Sequence, residues 1–458
     1  MKHTSPRALA CGAAGLVLLV LSLAPVSALS RGGPGAKAAV FLLLAAAALL
    51  AAWLLHRWGC PPERLLTALL PVGLAFFLRA LLLDYAAGDY NTFLSQWVET
   101  FRHNGGFAAL KLPIGNYNVP YLYFLATISY LPIPDLYLIK LFSILFDVLL
   151  AWGGMRLVNR FTGRESLRPV VCFCALLLLP TVVLNGAFWG QCDALYGALV
   201  LHALADGLSG RPRSSAFLLG IAFSFKLQTV FILPLWAVLW IAGRTRFRDL
   251  LFFPAAYAAT CVPALLLGKP LGDILGVYVG QTQDGAGALN YNCASLFSLL
   301  PYGTQVDEET GARLGILAAF ALVLLLLALA LRFRDRLDDG ALLLFGLCLT
   351  LGVPFLLPYM HDRYYFLADA LTAVWACILP RRLPAAALVQ GASLSAYLTY
   401  FRMKYTLVLS LGGHLFTMLT ESLLVLTALI AAGILLVRRL AVSPRLPGKK
   451  AGKSRKNG

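Results

Sequence analysis

The chain has 458 residues, of which 60% are hydrophobic and 13% are charged, and its mean hydropathy is +0.78. A soluble globular protein carries about twice that charged fraction, so the composition excludes an ordinary soluble enzyme. The net charge of +17 does not indicate a nucleic-acid partner, because the basic residues lie in short loops between apolar runs, as in membrane proteins.

Apolar runs of about 20 residues, the length of a membrane-spanning helix, recur from end to end. We predict an all-α polytopic membrane protein, a bundle of about 12–14 transmembrane helices, with one integral domain over residues 1–437. Residues 438–458 form a basic tail that we expect to be disordered and to lie against an anionic cytoplasmic leaflet.

Residues 1–30 allow two interpretations. Lys2 and Arg7 followed by an apolar stretch and a small-residue segment fit a cleaved signal peptide. The apolar stretch is also long enough to span the membrane, and we favour a retained first helix. The second and third spans are expected at about residues 36–55 and 65–83.

The polar segment after the third span is expected on the extracytoplasmic face. Residues 95–103 are predicted to form an amphipathic surface helix, with Trp97 and Phe101 in the headgroup region. The apolar run 121–131 has only eleven residues between two prolines, so we expect a short helix that lies on this face or re-enters it.

The remaining chain alternates between apolar runs and basic loops, which gives about fourteen crossings with both termini in the cytoplasm. The further runs lie at about 136–157, 169–184, 194–208, 215–225, 230–242, 250–267, 314–331, 341–357, 364–379, 384–401 and 414–437. This topology places five polar patches, distant in sequence, on the extracytoplasmic face. They are Asp84 with Asp89, Gln191 with Asp193, Lys226, the loop 268–313, and His361–Arg363.

Asp89 is the candidate general base, since a carboxylate within hydrogen-bond reach can take the proton of an attacking hydroxyl. A solvated aspartate that caps a helix has the same sequence signature, and from the residues alone it is favoured. Asp84 is a weaker candidate of the same kind.

Three basic side chains are candidates for binding a donor phosphate. Arg363 can fork onto phosphate oxygens, His361 can add a donor, and Lys226 lies where the positive-inside rule places no lysine. The alternatives are an interfacial Arg–Asp pair that anchors a helix and a lysine that extends to the membrane surface.

Aromatic, amide and carboxylate side chains suit a sugar, which needs a ring face and hydrogen bonds. Aromatic belts and helix caps place the same residues at membrane boundaries, so each one alone is weak. The sugar- or acceptor-binding candidates are Trp189, Gln191, Asp193, Tyr117, Asn118 and Asn292. The nine cysteines show no metal-binding spacing.

Several motifs together resemble the GT-C superfamily of polytopic glycosyltransferases, and most of all the bacterial PIG-V-like relatives of the second GPI mannosyltransferase. The motifs are Gly-Asp-Tyr at 88–90, Asn-Tyr-Asn-Val-Pro-Tyr at 116–121, Phe-Trp-Gly-Gln-Cys-Asp-Ala-Leu-Tyr at 188–196, Phe-Ser-Phe-Lys-Leu-Gln at 223–228, Leu-Asn-Tyr-Asn at 289–292 and Met-His-Asp-Arg-Tyr-Tyr-Phe at 360–366. The resemblance implies that Asp89 is the catalytic base. A tyrosine follows Asp89 where relatives carry a second carboxylate, so no metal is indicated and no cofactor is expected.

The resulting hypothesis is an inverting transfer of a mannose-like hexose from a polyprenyl-phosphate-linked sugar. The acceptor is a glycan, lipid or protein hydroxyl, and the reaction takes place on the extracytoplasmic face of the cell membrane. Two alternatives stay open at this point: a transporter or flippase of lipid-linked saccharides, which would use the same contacts, and a structural membrane subunit.

Overall fold

The computed structural model describes residues 5–283, 287–300, 304, 306–401 and 418–443, and these are almost entirely helical, which confirms the all-α polytopic class. The first ten α-helices are α1 Pro6–Leu21, α2 Leu23–Ser27, α3 Pro34–Arg57, α4 Pro62–Leu82, α5 Ser95–His103, α6 Val119–Ile128, α7 Asp135–Thr162, α8 Arg168–Leu178, α9 Pro180–Val183 and α10 Asp193–Leu208. The next ten are α11 Pro212–Phe225, α12 Pro234–Ile241, α13 Phe247–Leu250, α14 Phe252–Leu266, α15 Leu271–Gln283, α16 Glu308–Arg332, α17 Asp339–Leu356, α18 Phe366–Ile378, α19 Leu383–Tyr400 and α20 Met418–Val442.

Eight helical segments of the described chain are long and apolar enough to cross a membrane, and a bent pair makes a ninth. This is fewer than the 12–14 spans expected. The difference arises because several of the expected spans are helices too short to cross a membrane: α10 has 16 residues, α11 has 14 and α12 has 8. Prolines contribute to the breaks between helices, since Pro180 and Pro234 each begin a new helix and lack the amide that would continue the preceding one.

The first helix packs closely on α4. A Cβ added to Gly15 would lie 2.1 Å from the carbonyl oxygen of Leu69, and one added to Gly73 would lie 2.2 Å from that of Gly15. Small residues allow such backbone contact between membrane helices. This packing is compatible with a retained first helix, and the retention stays a prediction.

A buried ion pair joins α4 to α7 below the polar end of the bundle. Arg79 Nε and Nη2 donate to Asp147 Oδ2 at 3.0 and 2.9 Å, and both side chains are fully buried. Arg79 Nη1 also donates to the carbonyl of Leu177 in α8, at 2.8 Å. Three helices are thereby fixed relative to one another beneath the segment that carries Asp89.

The segment between α4 and α7 contains the two short helices that the sequence predicts. Helix α5 has the expected bounds, and α6 has ten residues, too few to span. The expected position of Phe101 in the headgroups is wrong, because this side chain is fully buried in the protein core. Trp97 is partly buried and packs edge-on against Tyr117, with ring centroids 5.8 Å apart.

The segment 268–313, expected to be a long loop, contains α15 and the beginning of α16. It also contains strand β1 Asn290–Tyr291, which pairs in parallel with β2 Met360–His361 between α17 and α18. The pairing opposes Tyr291 and His361, so it joins this segment to the polar turn that carries Arg363.

Candidate active site

A cavity of about 420 Å³ lies at one end of the bundle, and each of the five polar patches contributes to its wall. It is lined by Asp89, Phe93, Leu94, Trp97, Asn116, Tyr117, Gln191, Lys226, Gln228, Gln281, His361, Asp362, Arg363, Tyr364 and Tyr400. The expected topology places the patches on one side of the membrane without requiring that they meet. The tertiary structure brings them into one volume large enough for a sugar phosphate.

The Asp89 carboxylate is held by neutral donors. Its Oδ2 accepts hydrogen bonds from Trp189 Nε1, at 3.1 Å, and from Gln191 Nε2. Its Oδ1 accepts one from the Tyr400 hydroxyl at 2.8 Å. These donors fix the orientation of the carboxylate without neutralising it, and about a quarter of the side chain stays exposed to the cavity. A base that is oriented and accessible meets the geometric requirement for proton abstraction.

The backbone before Asp89 is held by a buried lysine. Lys140 Nζ, on α7, donates to the carbonyls of Leu82, Leu83 and Tyr85 at 2.9, 3.0 and 2.6 Å. These are carbonyls that the end of α4 leaves without helical partners. Lys140 therefore fixes the start of the segment that presents Asp89, and the sequence analysis did not identify it.

Asp84 has a different environment from Asp89. Its Oδ1 accepts from the backbone and hydroxyl of Ser30, at 3.0 and 2.9 Å, and from the Tyr137 hydroxyl at 2.7 Å. Burial raises the pKa of Asp84, but these hydrogen bonds outweigh it and leave the pKa below its usual value. Asp84 does not line the cavity, so its contacts favour a structural role in joining the end of α2 to α7.

A broken helix delivers Trp189 and Gln191. The axis bends by 48° between α8 and the segment Pro180–Trp189, and its last residues, Leu184–Trp189, form a π-helix. Gly190 then adopts a left-handed φ of +80°, which glycine tolerates best. The turn aims both side-chain nitrogens at Asp89, as the bonds above show.

Lys226 and Asp193 form a buried ion pair. Lys226 ends α11 in an extended conformation, and its Nζ contacts Asp193 Oδ1. Asp193 Oδ2 accepts from Asn185 Nδ2 at 2.7 Å. Asp193 is 1% exposed and does not line the cavity, whereas Lys226 does. The lysine thus lines the cavity from a fixed position, with its charge paired to Asp193.

Arg363 is surrounded by carboxylates but not closely bonded to any of them. Its Nη1 lies 3.9 Å from Asp89 Oδ2 and 3.9 Å from Asp362 Oδ1, and its Nε lies 3.8 Å from Asp193 Oδ2. These separations exceed hydrogen-bond length, and Nε has no hydrogen-bond partner within the described residues. The guanidinium lies 5.4 Å from the centroid of the Trp189 ring. It is held in place while keeping donors for an anion.

The two residues before Arg363 have shifted pKa values. Burial, with the nearby charge of Arg363, lowers the pKa of His361 to about 4, so this imidazole is neutral at pH 7. It can donate a hydrogen bond but does not add the positive charge expected from the sequence. Burial raises the pKa of Asp362 to about 7, against the opposing effect of Arg363.

The sugar-binding candidates fall into two groups. Tyr117 and Gln191 line the cavity, and the Tyr117 hydroxyl donates to Gln191 Oε1 at 3.4 Å. Trp189 is 1% exposed, and the Tyr400 ring stacks on it at 3.9 Å. Its ring face is therefore occupied in this structure, and its contribution to the site is the Nε1 donor to Asp89.

Asn118 and Asn292 lie outside the cavity wall. Asn118 is buried, its Oδ1 caps α6, and its Nδ2 donates to the Tyr257 hydroxyl at 3.2 Å. Asn292 is exposed, with a φ of +57°, and is bridged to His361. Both therefore have contacts typical of structural residues.

Tyr400 is a further site residue that sequence reasoning missed. It is the last residue of α19, within a run predicted only as a membrane span. Its hydroxyl donates to the Asp89 carboxylate and accepts from the Asp89 backbone amide at 3.2 Å. A tyrosine at a helix end is the normal pattern of an aromatic belt, so the sequence carried no signal that could separate the two roles.

Among the described residues, no three His, Cys, Asp or Glu side chains are grouped so that they could hold a metal ion.

The chain matches the model of a known protein family. The model of glycosyltransferase family 87, GT87, matches residues 116–358, which is more than half of the chain. The matched region includes Tyr117, Gln191 and Lys226. Asp89 precedes it, and His361 and Arg363 follow it by a few residues. A comparison with curated proteins finds none that matches.

Proposed function

The chain belongs to glycosyltransferase family 87, and we propose that it transfers a mannose-like hexose from a polyprenyl phosphate to an acceptor hydroxyl, with inversion. The observation that carries this proposal is the shared cavity of Asp89 and Arg363, whose charged groups are 3.9 Å apart. Because both groups line one cavity, a donor whose phosphate binds Arg363 would have its anomeric carbon close to Asp89.

Asp89 is the proposed base. As the acceptor oxygen attacks the anomeric carbon, Oδ1 or Oδ2 takes its proton, and the bond from that carbon to the phosphate oxygen breaks. Trp189, Gln191 and Tyr400 hold the carboxylate in one orientation, so little reorganisation is needed during the reaction. A single displacement of this kind inverts the configuration at the anomeric carbon.

The leaving polyprenyl phosphate carries negative charge and needs cations more than a general acid. Arg363 supplies free donors in a largely buried position, and Lys226, held in place by Asp193, adds a second cationic donor in the cavity wall. Neutral His361 adds a hydrogen bond. Preorganised charge in a partly dehydrated cavity stabilises a developing anion more than the same charge in water.

The membrane setting supports a lipid-linked donor. The cavity belongs to a multi-pass helical protein. We place its end of the bundle on the extracytoplasmic face, because the positive-inside rule puts the basic loops of the opposite end in the cytoplasm. Nucleotide sugars are confined to the cytoplasm, so a transferase on that face requires a sugar carried by a lipid. The PIG-V-like resemblance of the motifs supports mannose as the sugar.

The test is turnover by purified protein in lipid nanodiscs. Polyprenyl-phosphate mannose, polyprenyl-phosphate glucose, GDP-mannose and UDP-glucose are supplied separately with a membrane-lipid glycan acceptor. We expect transfer only from a polyprenyl-phosphate sugar, release of polyprenyl phosphate, and an α product from a β-linked donor by NMR. Transfer from a nucleotide sugar would refute the donor assignment, and a product that keeps the donor's configuration would refute inversion.

A further inference from the structure

A second polar cavity, of about 960 Å³, lies at the opposite end of α17 and α18 from the candidate active site. Helix α17 begins there and ends near His361, and its 18 residues span about 27 Å. The cavity opens between the ends of α7, α8, α17, α18 and α20. Its wall is formed by Phe161, Thr162, Ser166, Arg168, Asp338, Gly340, Leu343, Leu344, Trp375, Ile378, Leu379, Arg381, Arg382, Leu435, Arg438, Arg439, Val442 and Ser443.

The wall contains five arginines and one carboxylate, and that carboxylate is already paired. Asp338 accepts from Arg439 Nε and Nη2 at 2.7 and 2.8 Å, and its Oδ1 also caps α17 through the amide of Ala341. Within the described residues, no carboxylate pairs with any of the other four arginines. The cavity therefore has an uncompensated positive charge of four.

The arginines are partly held in place by groups that leave their charge available. Arg168 Nη1 donates to the carbonyl of Ile378 at 2.9 Å. The guanidinium of Arg382 lies 5.3 Å from the centroid of the Trp375 ring, and its Nε is buried without a hydrogen-bond partner in the described chain. Burial and the neighbouring Arg381 lower the pKa of Arg382, so an anion placed here would relieve an existing repulsion.

Beside the arginines, the same wall is apolar. Leu343, Leu344, Leu379 and Leu435 line the cavity next to Trp375. A soluble anion makes no favourable contact with such an apolar surface, whereas an acyl chain can pack against it. The chain's own C-terminal segment is a poor occupant, because residues 444–458 contain six basic residues and no acidic one.

From this combination we infer that the cavity is a binding site for an anionic phospholipid, with the phosphate among the arginines and an acyl chain against the leucines. Basic pockets between membrane helices are a known setting for such headgroups. The site is separate from the proposed transferase chemistry and does not depend on it. Phosphatidylglycerol is a suitable probe because it carries one phosphodiester charge and two acyl chains.

The experiment measures phosphatidylglycerol binding to delipidated full-length protein in nonionic detergent, by native mass spectrometry over a lipid titration. Arg381→Gln with Arg438→Gln removes two charges without disturbing the Arg382–Trp375 contact. At about 1 kcal/mol per arginine, affinity should fall about 30-fold. The unaltered protein should bind phosphatidylcholine at least about 30-fold more weakly than phosphatidylglycerol.

The matched control is Arg332→Gln with Arg334→Gln, which removes the same charge next to α17 but outside the cavity wall. Its affinity should stay close to that of the unaltered protein. An equal loss in both variants, or none in the first, would overturn the inference. Glycerol 3-phosphate that displaces the lipid at equal concentration would show that the acyl wall is not used. Displacement by a polyglutamate peptide would assign the surface to an acidic protein segment instead.

Discussion

Replacement of Asp89 by asparagine tests the proposed base with little change in shape. The side-chain carbonyl of asparagine can accept from Trp189 and Gln191, as Oδ2 of Asp89 does. The amide then faces the Tyr400 hydroxyl, which can rotate and accept instead of donating. The substitution therefore keeps the hydrogen-bond network and removes only the charge and the proton-accepting ability.

The expected loss is about 10²–10⁴-fold in kcat, the usual contribution of a positioned base. This corresponds to about 2.7–5.5 kcal/mol in the activation barrier. The KM for the donor should stay the same or fall. The reason is that Asp89 lies 3.9 Å from Arg363, and removing its charge leaves that cation more available to phosphate.

The assay is steady-state release of polyprenyl phosphate in nanodiscs, with thermal unfolding measured on the same preparations. Asp84→Asn is the matched control, since it removes a carboxylate five residues away that contacts Ser30 and Tyr137 outside the cavity. Its kcat should stay within about threefold of the unaltered protein, a loss far smaller than removal of a positioned base causes. If folded Asp89→Asn keeps more than a tenth of the normal kcat, the assignment of Asp89 as base is wrong.

Three further substitutions probe other parts of the site. Arg363→Ala should raise the KM for the donor about 10–100-fold, because it removes charge-assisted hydrogen bonds to phosphate, and unchanged donor affinity would refute that role. Lys140→Met should lower the free energy of unfolding by about 3 kcal/mol through loss of its three bonds to carbonyls, and should lower kcat more than it changes KM. Above a pKa of about 7, ionised Asp362 offsets Arg363, so the donor KM should rise as pH increases through 7. This rise should be absent in Asp362→Asn, and an identical pH profile in both proteins would contradict the assignment.

Several features were predictable because they depend on the hydropathy, length and charge of short sequence segments. Helix α5 was predicted with its bounds, because its amphipathic pattern is confined to nine residues. The short helix α6 followed from a run too short to span a membrane. Charge distribution placed Asp89, Lys226 and Arg363 on one face, since basic loops mark the opposite face.

Other features depend on contacts between residues far apart in the chain. Tyr400 reaches Asp89 across 311 positions, and Lys140 reaches the end of α4 across more than 50. No periodicity or spacing encodes such a contact, because it depends on how the helices pack. Packing also decided that Trp189 has its ring covered by Tyr400.

The sequence by itself determined a multi-pass helical protein and most of the charged residues of its cavity, because hydropathy and charge are properties of each segment alone. Only the tertiary structure decided which of those residues share the cavity. It also decided which of them are protonated and which keep hydrogen-bond donors available. Burial lowers the pKa of His361 to about 4, so this side chain is neutral at pH 7, and raises the pKa of Asp362 to about 7. Distances of 3.8 to 3.9 Å leave Arg363 available to an anion. These properties arise from the surrounding packed chain, so they exist only once the helices have come together.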